Sequence, residues 1–120
     1  MLTVRMAGEV AGLSEALSQQ PQNDSVRKSL AIVQSTLGRH EQAYATVEPY
    51  LEKNAADADA LMVALQAIYQ VHADGKSIGS PDQDRAKAAL YAKAYAAANG
   101  PSQALVEKWL QFLNSADGAK

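Results

Sequence analysis

Cysteine is absent from this chain of 120 residues, which removes disulfides, thiolate metal sites and thiol nucleophiles together. Tryptophan and phenylalanine occur once each, so the core has to be built from aliphatic side chains and a few tyrosines. Glycine (7) and proline (4) are scarce, and a fold of short strands joined by tight turns would need more of both. Neither sign of charge dominates. Lys and Arg number 11 against 13 Asp and Glu, interspersed to a net −2, which leaves no basic field for nucleic acid and no acidic tail. No run approaches the roughly 18 apolar residues of a membrane span. The opening MLTVRMAGEVAG carries Arg5 and Glu9 where an export signal needs an apolar stretch, so none is expected. The chain is expected to be soluble, in cytoplasm or periplasm.

What the chain does have is alanine, about a fifth of all residues, and a repeat. Leu13, Ala16, Leu17 and Pro21 recur 34 residues later as Val47, Tyr50, Leu51 and Ala55. Val26, Leu30, Ala31 and Val33 recur at the same offset as Ala60, Ala64, Leu65 and Ala67. A period near 34 is that of stacked helix pairs, each of which needs a neighbour to cover its apolar face. An all-α fold is therefore predicted.

Breakers and caps divide the chain into six helices. The first covers residues 4–18, with Val10, Leu13, Ala16 and Leu17 on one face, and ends at Gln20-Pro21-Gln22. Asn23 or Asp24 caps a second, which carries Val26, Leu30, Ile32, Val33 and Leu37 until Gly38 supplies a left-handed turn. A third runs from His40 to Lys53 and contains Pro49, which removes the bond to the Ala45 carbonyl and is expected to bend the helix. A fourth, Asp57 to His72, presents Leu61, Ala64, Leu65, Ile68 and Tyr69. After a loop from Ala73 to Gly79, Ser80-Pro81-Asp82-Gln83 forms a capping box that starts the fifth, which Asn99-Gly100 stops. Pro101-Ser102 opens a sixth that ends near Leu113, and residues 114–120 are expected to be a disordered tail.

The segment LGRHEQAYATVEPYLEKNAADADALMVALQAIY resembles the tetratricopeptide repeat (TPR) family. Gly38 stands at the inter-helix turn, Ala43 is the small residue of the second helix, Val47 and Leu51 are its apolar partners, and Ala55 stands where the family usually has proline. The resemblance implies one domain over residues 1–113, a right-handed αα superhelix of about six antiparallel helices. It consists of the helix 4–18, one repeat at 24–57, an expanded repeat at 58–100 and a capping helix at 101–113. Arg27 departs from the family, which prefers a large aromatic there. Ala55 to Pro101 spans 46 residues, longer than one period, and the surplus falls in the loop and the fifth helix. The first helix holds the place of a second helix in the period. Its missing partner leaves one flank among Val4, Val10, Leu13 and Leu17 for a homodimer contact or for further repeats.

By the same resemblance, the first helix of each pair lines a concave groove. That role falls on Lys28, Ile32, Ser35 and Thr36 in one repeat and on Met62, Gln66, Tyr69 and Gln70 in the next. The implied function is binding of a peptide or partner protein, with Tyr69 as the anchor and no catalytic, cofactor or metal residue. The family's carboxylate clamp is not supported, because Ile32 occupies a place where that clamp uses asparagine. The alternatives are a structural or oligomerisation domain of a larger, bacterial-type protein, or a periplasmic assembly chaperone resembling the TPR parts of cytochrome-maturation factors.

Chemistry-bearing patterns are weak by comparison. Gly75-Lys76-Ser77 imitates the end of a phosphate-binding loop, but Gln70 stands where that motif requires glycine. Asp74, Asp82 and Asp84 lack the alternation of a calcium loop, and Asp82 and Asp84 suit a helix start instead. His40 and His72 have no ligand at metal spacing. Asn23-Asp24-Ser25 matches a glycosylation sequon and is better explained as a helix cap. No nucleophile elbow accompanies the serines, so no enzyme is expected. Leu105, Trp109, Phe112 and Leu113 form a stripe that either seals the stack or docks a partner, and Tyr91 and Tyr95 are expected to pack inward.

Overall fold

The computed structural model describes residues 2–118, with side-chain environments from 8 to 114. Its elements are α1 (Leu2–Gln19), α2 (Asp24–Thr36), α3 (His40–Lys53), α4 (Ala58–Ala73), α5 (Pro81–Ala97) and α6 (Gln103–Gly118). No strand occurs among the described residues. The helices stack into an elongated body of 43 × 29 × 25 Å.

Local chemistry explains most boundaries. Asn23 accepts from the Val26 amide at 3.2 Å and Asp57 from the Ala60 amide at 3.2 Å, each satisfying a donor left open at a helix start. Ser80 does the same for Gln83 at 3.2 Å, with Pro81 in the first turn of α5. At the other ends, α2 and α4 close on Gly38 (φ +79°) and Gly75 (φ +78°), and the following amides bond back to Gln34 and Val71. These are paired C-terminal bonds of the Schellman type. In α5 the left-handed residue is Asn99 (φ 58°), while the Gly100 amide reaches Tyr95 O at 3.0 Å. Gly100 is required for a different reason: a Cβ there would lie 2.1 Å from Cζ of Tyr95, whose ring is 1% exposed.

One element differs from expectation. The sixth helix starts at Gln103 and continues to Gly118, through residues expected to be a disordered tail. The stretch from Asn114 to Asp117 holds no proline or glycine to stop it. The third helix runs unbroken through Pro49. Both Pro49 and Ala45 are exposed, so water can reach the carbonyl that lacks its helical donor.

Packing centres on α4, which touches α2, α3, α5 and α6, whereas among the described residues α1 touches α2 alone. Ala60, Ala64 and Ala67 of α4 are fully buried, and their small side chains let the neighbouring helices approach. Leu61, Leu65 and Ile68 fill the gaps between, with Ala31 from α2, Val47 and Leu51 from α3, Tyr95 from α5 and Leu113 from α6. The buried Gln34 amide is satisfied by the Thr46 hydroxyl at 2.7 Å, which ties α2 to α3.

Leu65 is 2% exposed at the middle of this core. Leu65→Ala is expected to cost about 2–5 kcal/mol in urea unfolding, and a loss below about 1 kcal/mol would contradict the packing described. Gly100→Ala is expected to lower stability by about 1–3 kcal/mol through overpacking against Tyr95. An unchanged thermal midpoint would show that the ring can give way.

Candidate functional site

Beyond its buried faces, α4 presents one half-buried stripe, Met62, Gln66, Tyr69 and Gln70, at the spacing of a single helix face. Of the α2 candidates, Ser35 joins it, its hydroxyl donating to Gln66 Oε1 at 3.4 Å. Thr36 is exposed and donates back to the Ile32 carbonyl at 2.9 Å within its own helix. Ile32 lines a separate groove of about 600 Å³ with Glu9, Gly12, Leu13, Ser29 and Val33, between α1 and α2. Five of the eight candidates therefore lie on or against one surface of α4, and Ile32 serves another.

Tyr69 does more than face solvent. Its ring stacks on Trp109 of α6 (centroids 5.4 Å, planes 20° apart) and meets Phe112 edge-on at 5.2 Å. Trp109 and Leu113 belong to the core, at 8% and 2% exposure, while Phe112 and Leu105 stand out at 37% and 44%. The stripe on α6 thus both seals the stack and continues its surface. Aromatic faces and amide side chains side by side suit contact with a peptide: rings supply area at low entropic cost, and amides pair with backbone groups.

Lys28, the eighth candidate, is partly exposed and engaged by two carboxylates. Its ammonium lies 2.9 Å from Asp57 and 3.6 Å from Asp59. Asp57 also accepts from the Tyr50 hydroxyl at 2.6 Å, so one carboxylate joins α2, α3 and the start of α4. Burial alone would raise the Asp57 carboxyl, but donors from Tyr50, Lys28 and the Ala60 amide outweigh it and hold the group below its ordinary value. The hydrogen bond to Asp57 in turn raises Lys28, against the lowering effect of burial.

Several residues with little promise in the sequence come together. His72 Nε2 lies 2.9 Å from Asp84 Oδ2, and Asp84 also accepts the Ile78 and Gly79 amides at 2.7 and 3.0 Å. This buried carboxylate pins the loop at residues 74–80 to the ends of α4 and α5. Gly75-Lys76-Ser77 follows directly from the C-terminal turn of α4. Among the described residues, no group of three or more His, Cys, Asp or Glu is placed to hold a metal ion.

A second surface was not anticipated. Between α3 and α5 runs a cleft over which Lys87 donates to Glu48 Oε2 at 3.3 Å, while Leu90 stands 61% exposed at its edge. Tyr44 and Tyr91 lie beneath, ring centroids 6.5 Å apart. Burial, then the Tyr91 hydroxyl, pushes the Tyr44 phenol far above its ordinary value, so it stays neutral and donates to Glu48 at 3.2 Å. The available signal was Leu90, a large apolar residue off the Ala88, Tyr91, Tyr95 stripe of its helix.

Compared with known proteins, the chain matches no family model, no curated protein and no solved structure.

The Asp57 bonds make stability depend on pH in a stated direction. A carboxyl held low contributes fully above its ordinary value of 3.8, and the contribution fades as pH falls through the lower folded value. Lys28, held high, contributes fully below its ordinary 10.5 and fades as pH rises through the folded value. Asp57→Asn is expected to lower stability at neutral pH by about 1–3 kcal/mol and to flatten the acid limb of the stability curve. If denaturation midpoints of variant and parent stay parallel through that limb, the carboxylate is not the junction described.

Proposed function

We propose that the chain is a non-enzymatic, tetratricopeptide-like helical-repeat module that binds a peptide or partner protein on the inner face formed by α2, α4 and α6. The observation that carries this is the surface of α4 itself, where Met62, Gln66, Tyr69 and Gln70 share one face and Tyr69 meets the exposed Phe112. The packing order supports it too: α2 meets α4 and α4 meets α6, while α3 packs on both α2 and α4 and α5 on both α4 and α6. That alternation of inner and outer helices is what a repeat of helix pairs requires. On this reading the aromatic pair anchors an apolar side chain, Met62 adapts to its shape, and Gln66 and Gln70 pair with the peptide backbone.

The second reading, a structural or oligomerisation domain, draws on one observation. Among the described residues α1 packs on α2 alone, and its Val10, Leu13 and Leu17 are only half buried. The assembly-chaperone reading would use the same inner face. Among the described residues, no helix is long and apolar enough to cross a membrane.

Because Tyr69 stacks on Trp109, truncating it disturbs packing as well as contact, so Phe112 and Met62 carry the test. Peptides selected from a random displayed library on the immobilised chain are expected to lose about tenfold or more in affinity on Phe112→Ala or Met62→Ala, and none on Ile32→Asp. Peptides that ignore both substitutions would remove the inner face from the account. A concentration-dependent dimer abolished by Leu13→Asp would put the oligomerisation reading in its place.

A further inference from the structure

The backbones of α3 and α5 do not pack against each other, although each packs on α4. What separates them is the cleft bridged by Lys87 and Glu48, and this bridge divides it into two arms. The arm toward the loop has a volume of about 550 Å³, with Ile78 and Gly79 at its end. The other has about 260 Å³ and is lined mainly by carbon: Leu51, Leu61, Tyr91 and Ala94, with Ala55 at its far end. Leu61, at 1% exposure, belongs to the core, so this arm opens directly onto the hydrophobic interior. Leu90 borders both arms and exposes most of its side chain. An apolar residue so placed, beside a cleft with an apolar floor, leaves a contiguous apolar surface uncovered.

The charges around the cleft are unequal. Glu48 and Glu52 stand on the α3 side, and Lys87 on the α5 side is already bonded to Glu48. Glu52 is exposed and makes no direct hydrogen bond or close ion pair among the described residues, although Lys87 feels its charge as well as that of Glu48. The surplus at the mouth is therefore negative over an apolar floor.

We propose that the α3–α5 cleft is a second binding surface, whose occupant is a basic amphipathic helix of a partner protein. Two large apolar side chains about one turn apart enter the two arms on either side of the Glu48–Lys87 bridge, and a lysine or arginine of the partner meets Glu52. A helix docked in this way places its apolar ridge in the groove between two helices, the general mode of groove recognition by amphipathic helices. This surface lies on the outer helices and does not depend on the inner face being used.

The test uses the intact, isotope-labelled chain and two four-turn helical peptides with leucine on one face. One carries lysine on the other face and the second carries glutamate. The lysine peptide is expected to bind one to one, with resonance shifts gathered at Leu51, Leu90, Tyr91 and Ala94. Leu90→Asp, at a site exposed enough to leave the fold intact, is expected to weaken it by at least about tenfold. Glu52→Lys is expected to turn the preference toward the glutamate peptide, and Phe112→Ala to change nothing. Shifts centred on Tyr69 and Phe112, equal binding of the two peptides, pairing of two copies of the chain in place of peptide binding, or no shift at all would each overturn the proposal.

Discussion

Everything in this molecule leans on the burial of α4. A helix surrounded by four others can exist only if its contact faces are small enough for backbones to approach and apolar enough to leave water, and Ala60, Ala64, Ala67, Leu61, Leu65 and Ile68 meet both demands. A helix so enclosed has little surface left, and what remains is the stripe from Met62 to Gln70. Its side chains are half buried because α2 and α6 flank it, and that partial burial holds Tyr69 in place against Trp109 and Phe112. The proposed inner site is a consequence of the core, supported from beneath by the residues that fold it.

The polar bonds have a matching logic. Asp57 sits at the entry to α4 and collects Lys28 and Tyr50 from the two preceding helices. Asp84 sits at the entry to α5 and collects the loop amides and His72. In each case a carboxylate near a helix start, where the helix dipole favours negative charge, also fastens the chain that leads into it. The register of consecutive helices is thereby set by directional bonds as well as by apolar fit, which has no strong direction of its own.

Signals acting over a few residues were legible before the structure. Gly38, Ser80-Pro81 and Asn99-Gly100 place helix ends because capping involves neighbours in sequence, and the spacing of Leu61, Ala64, Leu65 and Ile68 marks the buried face of α4 for the same reason. Contacts made across the stack were not legible. The bond from Lys28 to Asp57 is one of these, since the reach of a lysine toward another helix cannot be read from its own helix. Ile32 lies on a helix that packs against α1, α3 and α4, and the side it serves is decided by how α1 docks. Tyr44 and Tyr91, 47 positions apart, meet beneath the α3–α5 cleft, a contact between helices that neither helix's own sequence reveals. α6 continues beyond Leu113 because no proline or glycine interrupts it before Gly118, while nearness to the chain terminus points the other way.

Amide hydrogen exchange, resolved by residue under native conditions, tests the central role of α4 most directly. If α4 is the enclosed axis of the stack, the amides of Ala64, Leu65 and Ile68 exchange only through global unfolding, while those of α1, which packs on one neighbour, exchange through local opening at far lower cost. Exchange of the α4 amides as rapid as that of α1 would contradict the account, because a helix that opens on its own could not hold Tyr69 and its neighbours as a preformed surface.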